Sequence, residues 1–256
     1  MTDRGESSTD QKRHWEKTYS NNPSFFGEEA SKFAAAAVAV FSREGVRTVL
    51  ELGCGHGRDT LLFARKGFEV TALDYSEEAF GILAARGDEI GVSPHVARHV
   101  FDVRVALPFP DGSFDACYSH MLLCMELSTE ELKFLVAEIR RVLRPGGLAL
   151  YSVRNTFDKH FRTGIHRSED MYEIGGFVVH FFSQEMIQSL SRGYDVLEVN
   201  RMQEGSLPRE LFAVILRKRE GSLPDEAPRG SEKETPGGEP AKPAPKRPTK
   251  QDPGKT

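Results

Sequence analysis

The chain has 256 residues, 34 Lys+Arg against 38 Asp+Glu, a formal charge of −4 and 39% hydrophobic residues, which suits one large or two small globular domains and disfavours a nucleic-acid partner, for which a basic stripe is usual. Its longest apolar run, Phe33 to Phe41, is mostly alanine and under half the roughly 20 residues of a bilayer span, so no membrane segment is expected. The polar N-terminus lacks the apolar core of a secretory signal, and Cys54, Cys117 and Cys124 form no C-x-x-C pair, so neither a disulfide framework nor a zinc ribbon is expected and the cytoplasm is the expected compartment.

Residues 1–10 read as disordered and 11–219 as one domain. Within it, 47–52 is a short apolar run with β-branched residues, read as a strand, and 59–66 reads as a helix. A strand at 68–73 is followed by a helix at 76–90. Ser76 is the N-cap of that helix, and Glu77 and Glu78 suit its positive end. Next come a strand at 96–101, a turn at 108–113 and a strand at 114–119. Ser128-Thr129-Glu130-Glu131 is a capping box that opens a helix running to Leu143. Arg144-Pro145-Gly146-Gly147 ends it, since proline and two glycines cannot continue a helix. A fifth strand covers 148–153.

This alternation predicts a parallel sheet with helices on both faces. The stretch 155–180 then reads as irregular. A short helix at 183–191 precedes two final strands, 194–201 and 211–217, expected to be antiparallel. From 220 to 256 the composition shifts: eight of the 14 prolines fall in 221–256, a stretch with no Ile, Val, Phe, Tyr or Trp. Such a stretch cannot bury enough apolar surface to offset its ordering entropy and reads as a disordered tail.

The informative segment is Glu51-Leu52-Gly53-Cys54-Gly55-His56-Gly57-Arg58. A strand runs into three alternating glycines and then a helix, a turn that admits positive φ and lets a ligand lie against the backbone. It can also be a tight strand–helix turn and nothing more. A dinucleotide fold would need its third glycine at position 58, which is Arg58, so a nicotinamide dehydrogenase is disfavoured.

The pattern E-x-G-x-G-x-G resembles that of class I S-adenosylmethionine-dependent methyltransferases. Other matches follow in order: Asp74 at the end of the second strand, Asp102 at the end of the third, a stretch from Leu107-Pro108-Phe109 to Ser113-Phe114-Asp115, and the 144–147 turn. The resemblance implies a Rossmann-like, seven-stranded, mostly parallel α/β sheet with an antiparallel C-terminal strand. It implies S-adenosyl-L-methionine as cofactor, with Asp74 on the ribose, Tyr75 against the adenine and Asp102-Val103 facing the adenine amino group. Gly53, Gly55 and Gly57 would line the loop, Glu51 would hold the methionine ammonium, and Tyr19 and Ser119 would complete the site. Cys54 and His56 are expected to contribute backbone only, and Asp115 to organise the turn into the fourth strand.

The positions after the fourth strand lie beside the transferred methyl group in such folds. Here they read Ser119-His120-Met121-Leu122, with neither the Asp/Asn-Pro-Pro-aromatic element of amine methyltransferases nor a Pro-Cys nucleophile, so a small-molecule acceptor is expected. His120 is the best-placed titratable group. It is either catalytic, orienting or deprotonating the acceptor, or a histidine bonded to the backbone.

Two regions are expected to cover the acceptor. An N-terminal lid, 11–45, carries Trp15 and Phe26, and an insertion, 155–182, carries His160 and His180 next to Arg154. Trp15 and Phe26 can equally seal a sheet edge. Arg209 either meets an anionic substrate or caps a turn, and the turn is preferred. No metal is expected, because the histidines show no ligand spacing. The chain is expected to act as a monomer or homodimer. The competing readings are a catalytically silent S-adenosylmethionine-binding scaffold and an aminopropyltransferase, which would want paired acids near the fourth strand.

Overall fold

The computed structural model describes residues 4–22, 27–205 and 209–220. Helices α1 (Arg4–Asn21) and α2 (Lys32–Glu44) lead into an alternation of β1 (Thr48–Leu52), α3 (Arg58–Arg65), β2 (Glu69–Asp74), α4 (Glu77–Glu89) and β3 (Val96–Val100). Then come β4 (Phe114–His120), α5 (Thr129–Val142), β5 (Leu143–Arg154), β6 (Ile165–Ser168), β7 (Met171–Ile174), β8 (Phe177–His180), α6 (Gln184–Leu190), β9 (Tyr194–Glu204) and β10 (Arg209–Lys218).

Seven strands form one sheet in the order β3-β2-β1-β4-β5-β10-β9. The pairs from β3 to β5 are parallel, and β10 runs antiparallel to both β5 and β9. The expected Rossmann-like α/β sheet with its antiparallel strand is therefore present. Alternation along the central strands divides the core in two, because successive side chains point to opposite faces. Leu50, Leu52, Cys117 and Tyr151 join Leu132, Leu135 and Ile139 of α5. Val49, Tyr118 and Leu150 join Phe33 and Phe41 of α2 and Phe63 of α3. Chain order reverses between β1 and β4, and the crevice beyond the carboxyl ends of such strands is where open α/β sheets bind ligands.

The local signals hold at atomic level. Ser76 Oγ accepts the Ala79 N–H, and Ser128 and Glu131 form the reciprocal capping box. Asp115 accepts the backbone N–H groups of Arg47 and Thr48 at 2.7 and 3.0 Å and pairs with Arg144 at 3.0 Å. It thereby ties the start of β4 to β1, as the sequence suggests.

Three segments depart from expectation. Helix α1 begins at Arg4, inside the stretch 1–10 read as disordered. Once Trp15 and Tyr19 anchor the helix, each further residue adds a hydrogen bond with no new nucleation cost. Helix α5 stops at Val142, and β5 takes over at Leu143, so the 144–147 stretch lies within the strand where its register against β4 shifts.

The third departure is the insertion after β5, which is a three-stranded antiparallel sheet, β6-β7-β8, in place of irregular chain. Its β7–β8 hairpin turns on Gly175-Gly176, with φ of +60° and +86°. Two successive positive φ values define the tight hairpin turn that glycine pairs favour. That dipeptide between short apolar runs is the signal the sequence reading missed. The proposed tail, 220–256, lies outside the described residues but for Glu220.

Candidate active site

A cavity of about 270 Å³ opens beyond the carboxyl ends of β1, β2 and β4. Its floor is the glycine loop. Gly53 and Gly55 line it with φ of +72° and +52°, conformations costly for residues bearing Cβ. Beside them the Asp74 carboxylate accepts the Gly55 N–H at 2.9 Å and the Ser76 N–H at 3.0 Å, which fixes the loop against the end of β2. Burial raises the Asp74 pKa, while these backbone donors oppose the rise.

Glu51, at the end of β1, is 2% exposed and accepts the Thr60 hydroxyl at 2.6 Å. Burial, reinforced by the nearby Asp59 charge, pushes its pKa to about 8. Tyr75, Asp102 and Val103 line the same end of the cavity. Asp102 accepts the Arg104 N–H and pairs with its guanidinium, both at 3.0 Å.

The roof comes from elements far apart in sequence. Trp15 and Tyr19 of α1 pack with their rings tilted by 35° and their centres 5.4 Å apart, and Trp15 lies 4.6 Å from Phe177 of β8. Both α1 rings line the cavity. The side chains of Cys54 and His56, expected to contribute backbone only, are buried at the cavity wall, and the His56 ring lies 4.5 Å from Tyr19.

The far wall carries His120, Arg154, His160 and Arg209. The last residue of β4, His120, has its Nδ1 2.7 Å from Ser152 Oγ, while its Nε2 is buried without a hydrogen-bond partner. Burial drops its pKa to about 4, so it is neutral near pH 7 and not poised near the ordinary histidine value. Arg154 is clamped by Asp158 at 2.6 and 3.2 Å and donates to His160 Nδ1 at 2.8 Å. Arg209 is the first residue of β10 and lines the cavity, which suits the anionic-substrate reading, while residues 206–208 before it lie outside the described residues.

Three predicted residues stand away from the cavity lining. Gly57 caps α3 at φ +76°, and a Cβ there would meet Leu83 Cδ1 at 2.2 Å, so its glycine is required by helix–helix packing. The Ser119 hydroxyl donates to the Leu52 carbonyl at 3.2 Å, which joins β4 to β1. His180 is fully buried, with Nδ1 2.7 Å from the Leu127 carbonyl oxygen and Nε2 3.6 Å from Glu169, so it serves the packing of the insertion. Phe26 lies outside the described residues. Among the described residues no three His, Cys, Asp or Glu side chains cluster as a metal site requires, and no helix is long and apolar enough to cross a membrane.

Residues 49–147 match the family profile of the methyltransferase domain. An uncharacterized methyltransferase of Synechocystis is 32% identical over 100 residues, 39% of this chain and 43% of that protein. A malonyl-[acyl-carrier protein] O-methyltransferase of Erwinia billingiae is 33% identical over 136 residues, 52% of this chain and 47% of its own. The chain thus spans under half the length of either relative. The crystal structure of a Burkholderia thailandensis 1,6-didemethyltoxoflavin-N1-methyltransferase, with 1,6-didemethyltoxoflavin and S-adenosylhomocysteine bound, superposes with a TM-score of 0.68. It is 20% identical and the match covers 86% of this chain and 92% of that one, a likeness of fold.

Over residues 49–147 the chain is thus similar to methyltransferase domains, and its fold is that of S-adenosylmethionine-dependent methyltransferase structures. The cavity suits that cofactor: an open glycine cradle lies beside two buried carboxylates, as a ligand bearing an ammonium and ribose hydroxyls requires.

Proposed function

We propose that the chain transfers a methyl group from S-adenosyl-L-methionine to a small-molecule acceptor by in-line displacement. The observation that carries this reading is one cavity lined by the glycine loop, Glu51 and Asp74 together with His120, Arg154 and Arg209. The cofactor, when bound, supplies an electrophilic methyl group on a sulfonium. Asp74 would accept hydrogen bonds from its ribose hydroxyls, and the Glu51 carboxylate would hold its ammonium. Trp15 and Tyr19, with Phe177, exclude water, and alignment of acceptor with donor removes roughly 7–11 kcal/mol of barrier. Neutral His120 uses its unpartnered Nε2 to orient the acceptor or take its proton. Three free, buried cysteines support a reducing, cytoplasmic setting.

The test is calorimetry of the purified chain with S-adenosylmethionine and S-adenosylhomocysteine, followed by methyl transfer from labelled cofactor into metabolite pools. Saturable one-site binding and a labelled small molecule are expected. No binding of either nucleoside would overturn the reading.

A further inference from the structure

Charge is distributed unevenly around the cavity. The acids Glu51, Asp74 and Asp102 belong to β1, β2 and the chain just beyond β3. Arg154 and Arg209 lie on β5 and β10. Three of the four arginines that line the cavity have carboxylate partners: Arg154 pairs with Asp158 at 2.6 Å, Arg104 with Asp102 at 3.0 Å, and Arg58 with Glu204 at 3.5 Å and Asp59 at 3.9 Å. Arg209 does not. Its cross-strand neighbour Glu204 is the carboxylate engaged with Arg58, and among the described residues the Arg209 side chain makes no hydrogen bond or ion pair.

A half-buried guanidinium that makes no direct hydrogen bond to protein leaves its donors open to a ligand in the cavity. Burial and then the neighbouring Arg154 charge lower the Arg209 pKa, with the Asp158 and Glu204 carboxylates opposing, and an incoming anion would add to that opposition. His160 adds a second donor. Because its Nδ1 accepts from Arg154 Nη2, its ring proton sits on Nε2 when neutral. Asp158 holds this arrangement by clamping Arg154 and accepting the His160 and Glu210 backbone N–H groups, each at 2.9 Å. The arrangement supports one guanidinium that makes no direct hydrogen bond, on the part of the cavity formed by β5 and β10.

We infer that the acceptor is a small molecule bearing a carboxylate, anchored by Arg209 with His160 as second donor. Arg154 is a positioning residue that fixes the His160 tautomer. The inference rests on the proposed methyl transfer, since it takes this wall as the acceptor side. An arginine fork matches a carboxylate bidentately and prefers it over the uncharged amide of the same shape.

The experiment titrates phenylacetate and its isostere phenylacetamide into wild type, Arg209→Gln and Arg209→Lys, with and without saturating S-adenosylhomocysteine. Wild type is expected to bind the carboxylate at least about tenfold more tightly than the amide. In Arg209→Gln that preference should vanish, with S-adenosylhomocysteine affinity unchanged; in Arg209→Lys part of it should remain. Equal binding of acid and amide by wild type, no binding of the acid at millimolar concentration, or a preference that survives Arg209→Gln would overturn the inference. Failure of S-adenosylhomocysteine to bind would sink the proposed function instead, while the titrations without it still read Arg209.

Discussion

Gln11 and Val178 stand 167 residues apart, yet the Val178 backbone N–H donates to Gln11 Oε1 at 3.1 Å. The same side-chain amide donates through Nε2 to the Gly176 carbonyl at 2.8 Å. One glutamine thus meets the backbone of the β7–β8 hairpin as a neighbouring strand would, and locks α1 to the inserted sheet over the cavity. Gln11→Ala leaves that buried N–H unpaired, at a cost of roughly 1–3 kcal/mol. Lower melting temperature, faster hydrogen exchange at Val178 and weaker cofactor binding are expected together. An unchanged exchange rate at Val178 would separate Gln11 from the roof.

Glu51 makes the ligand-free protein sensitive to pH. Its pKa is raised from 4.5 to about 8, so folding favours its protonated form. That stabilisation is complete below 4.5 and is lost as pH rises through about 8. Denaturant melts of the cofactor-free chain should show stability falling across this window, with a smaller slope in Glu51→Gln. Binding a cationic ammonium beside Glu51 favours the carboxylate, so cofactor binding near neutral pH should release a proton. Calorimetry in buffers of different ionisation heat reads that proton, and Glu51→Gln should reduce it.

Asp74 has one task in the structure and a second under the proposed function. It accepts the Gly55 and Ser76 N–H groups, and the proposed reading adds the ribose hydroxyls. Asp74→Ala is expected to weaken cofactor binding by about 1.5–3 kcal/mol and to lower stability as well, since two backbone donors lose their acceptor. Asp74→Asn keeps one carbonyl acceptor and should recover part of the stability. Normal affinity in Asp74→Ala would remove it from the ribose site.

His120→Ala should reduce kcat by roughly 10²–10⁴-fold on an alcohol or amine acceptor, with cofactor affinity barely changed. Because the His120 pKa lies at about 4, its contribution to the wild-type pH–rate profile is a loss of activity as pH falls towards 4, without a limb near the ordinary histidine value. A thiol acceptor, which ionises near neutral pH, should shrink the effect. Wild-type kcat in the mutant would leave His120 a packing residue bonded to Ser152.

Gly57 and Gly55 lie two residues apart in one motif yet separate by experiment. Gly57→Ala puts a methyl group 2.2 Å from Leu83 Cδ1 at φ +76°, so it is expected to destabilise by roughly 1–3 kcal/mol. In Gly55→Ala the added methyl meets the Tyr19 hydroxyl at 3.1 Å at the cavity wall, so cofactor binding should suffer more than stability. A Gly57→Ala protein as stable as wild type would contradict the packing role.

The sequence by itself determined the sheet and the loop. Apolar alternation in β1, β2, β4 and β5, the Ser76 and Ser128 caps, and the spacing from Gly53 to Asp74 are local or short-range signals. They act through backbone geometry, so they can be read without knowing what surrounds them. Only the tertiary structure decided which residues share the cavity. Gly57 reads like Gly55 until Leu83 of α4 is placed against it. His180 resembles His160 in sequence, but burial against Leu127 and Glu169 removes it from the site. Arg209 reads as a turn residue until β10 carries it beside Arg154, and Trp15 as a possible edge seal until β8 brings Phe177 against it. Each of these outcomes depends on contacts between residues distant in the chain. Burial, charge pairing and pKa shifts follow from that assembly and are not carried by the local pattern.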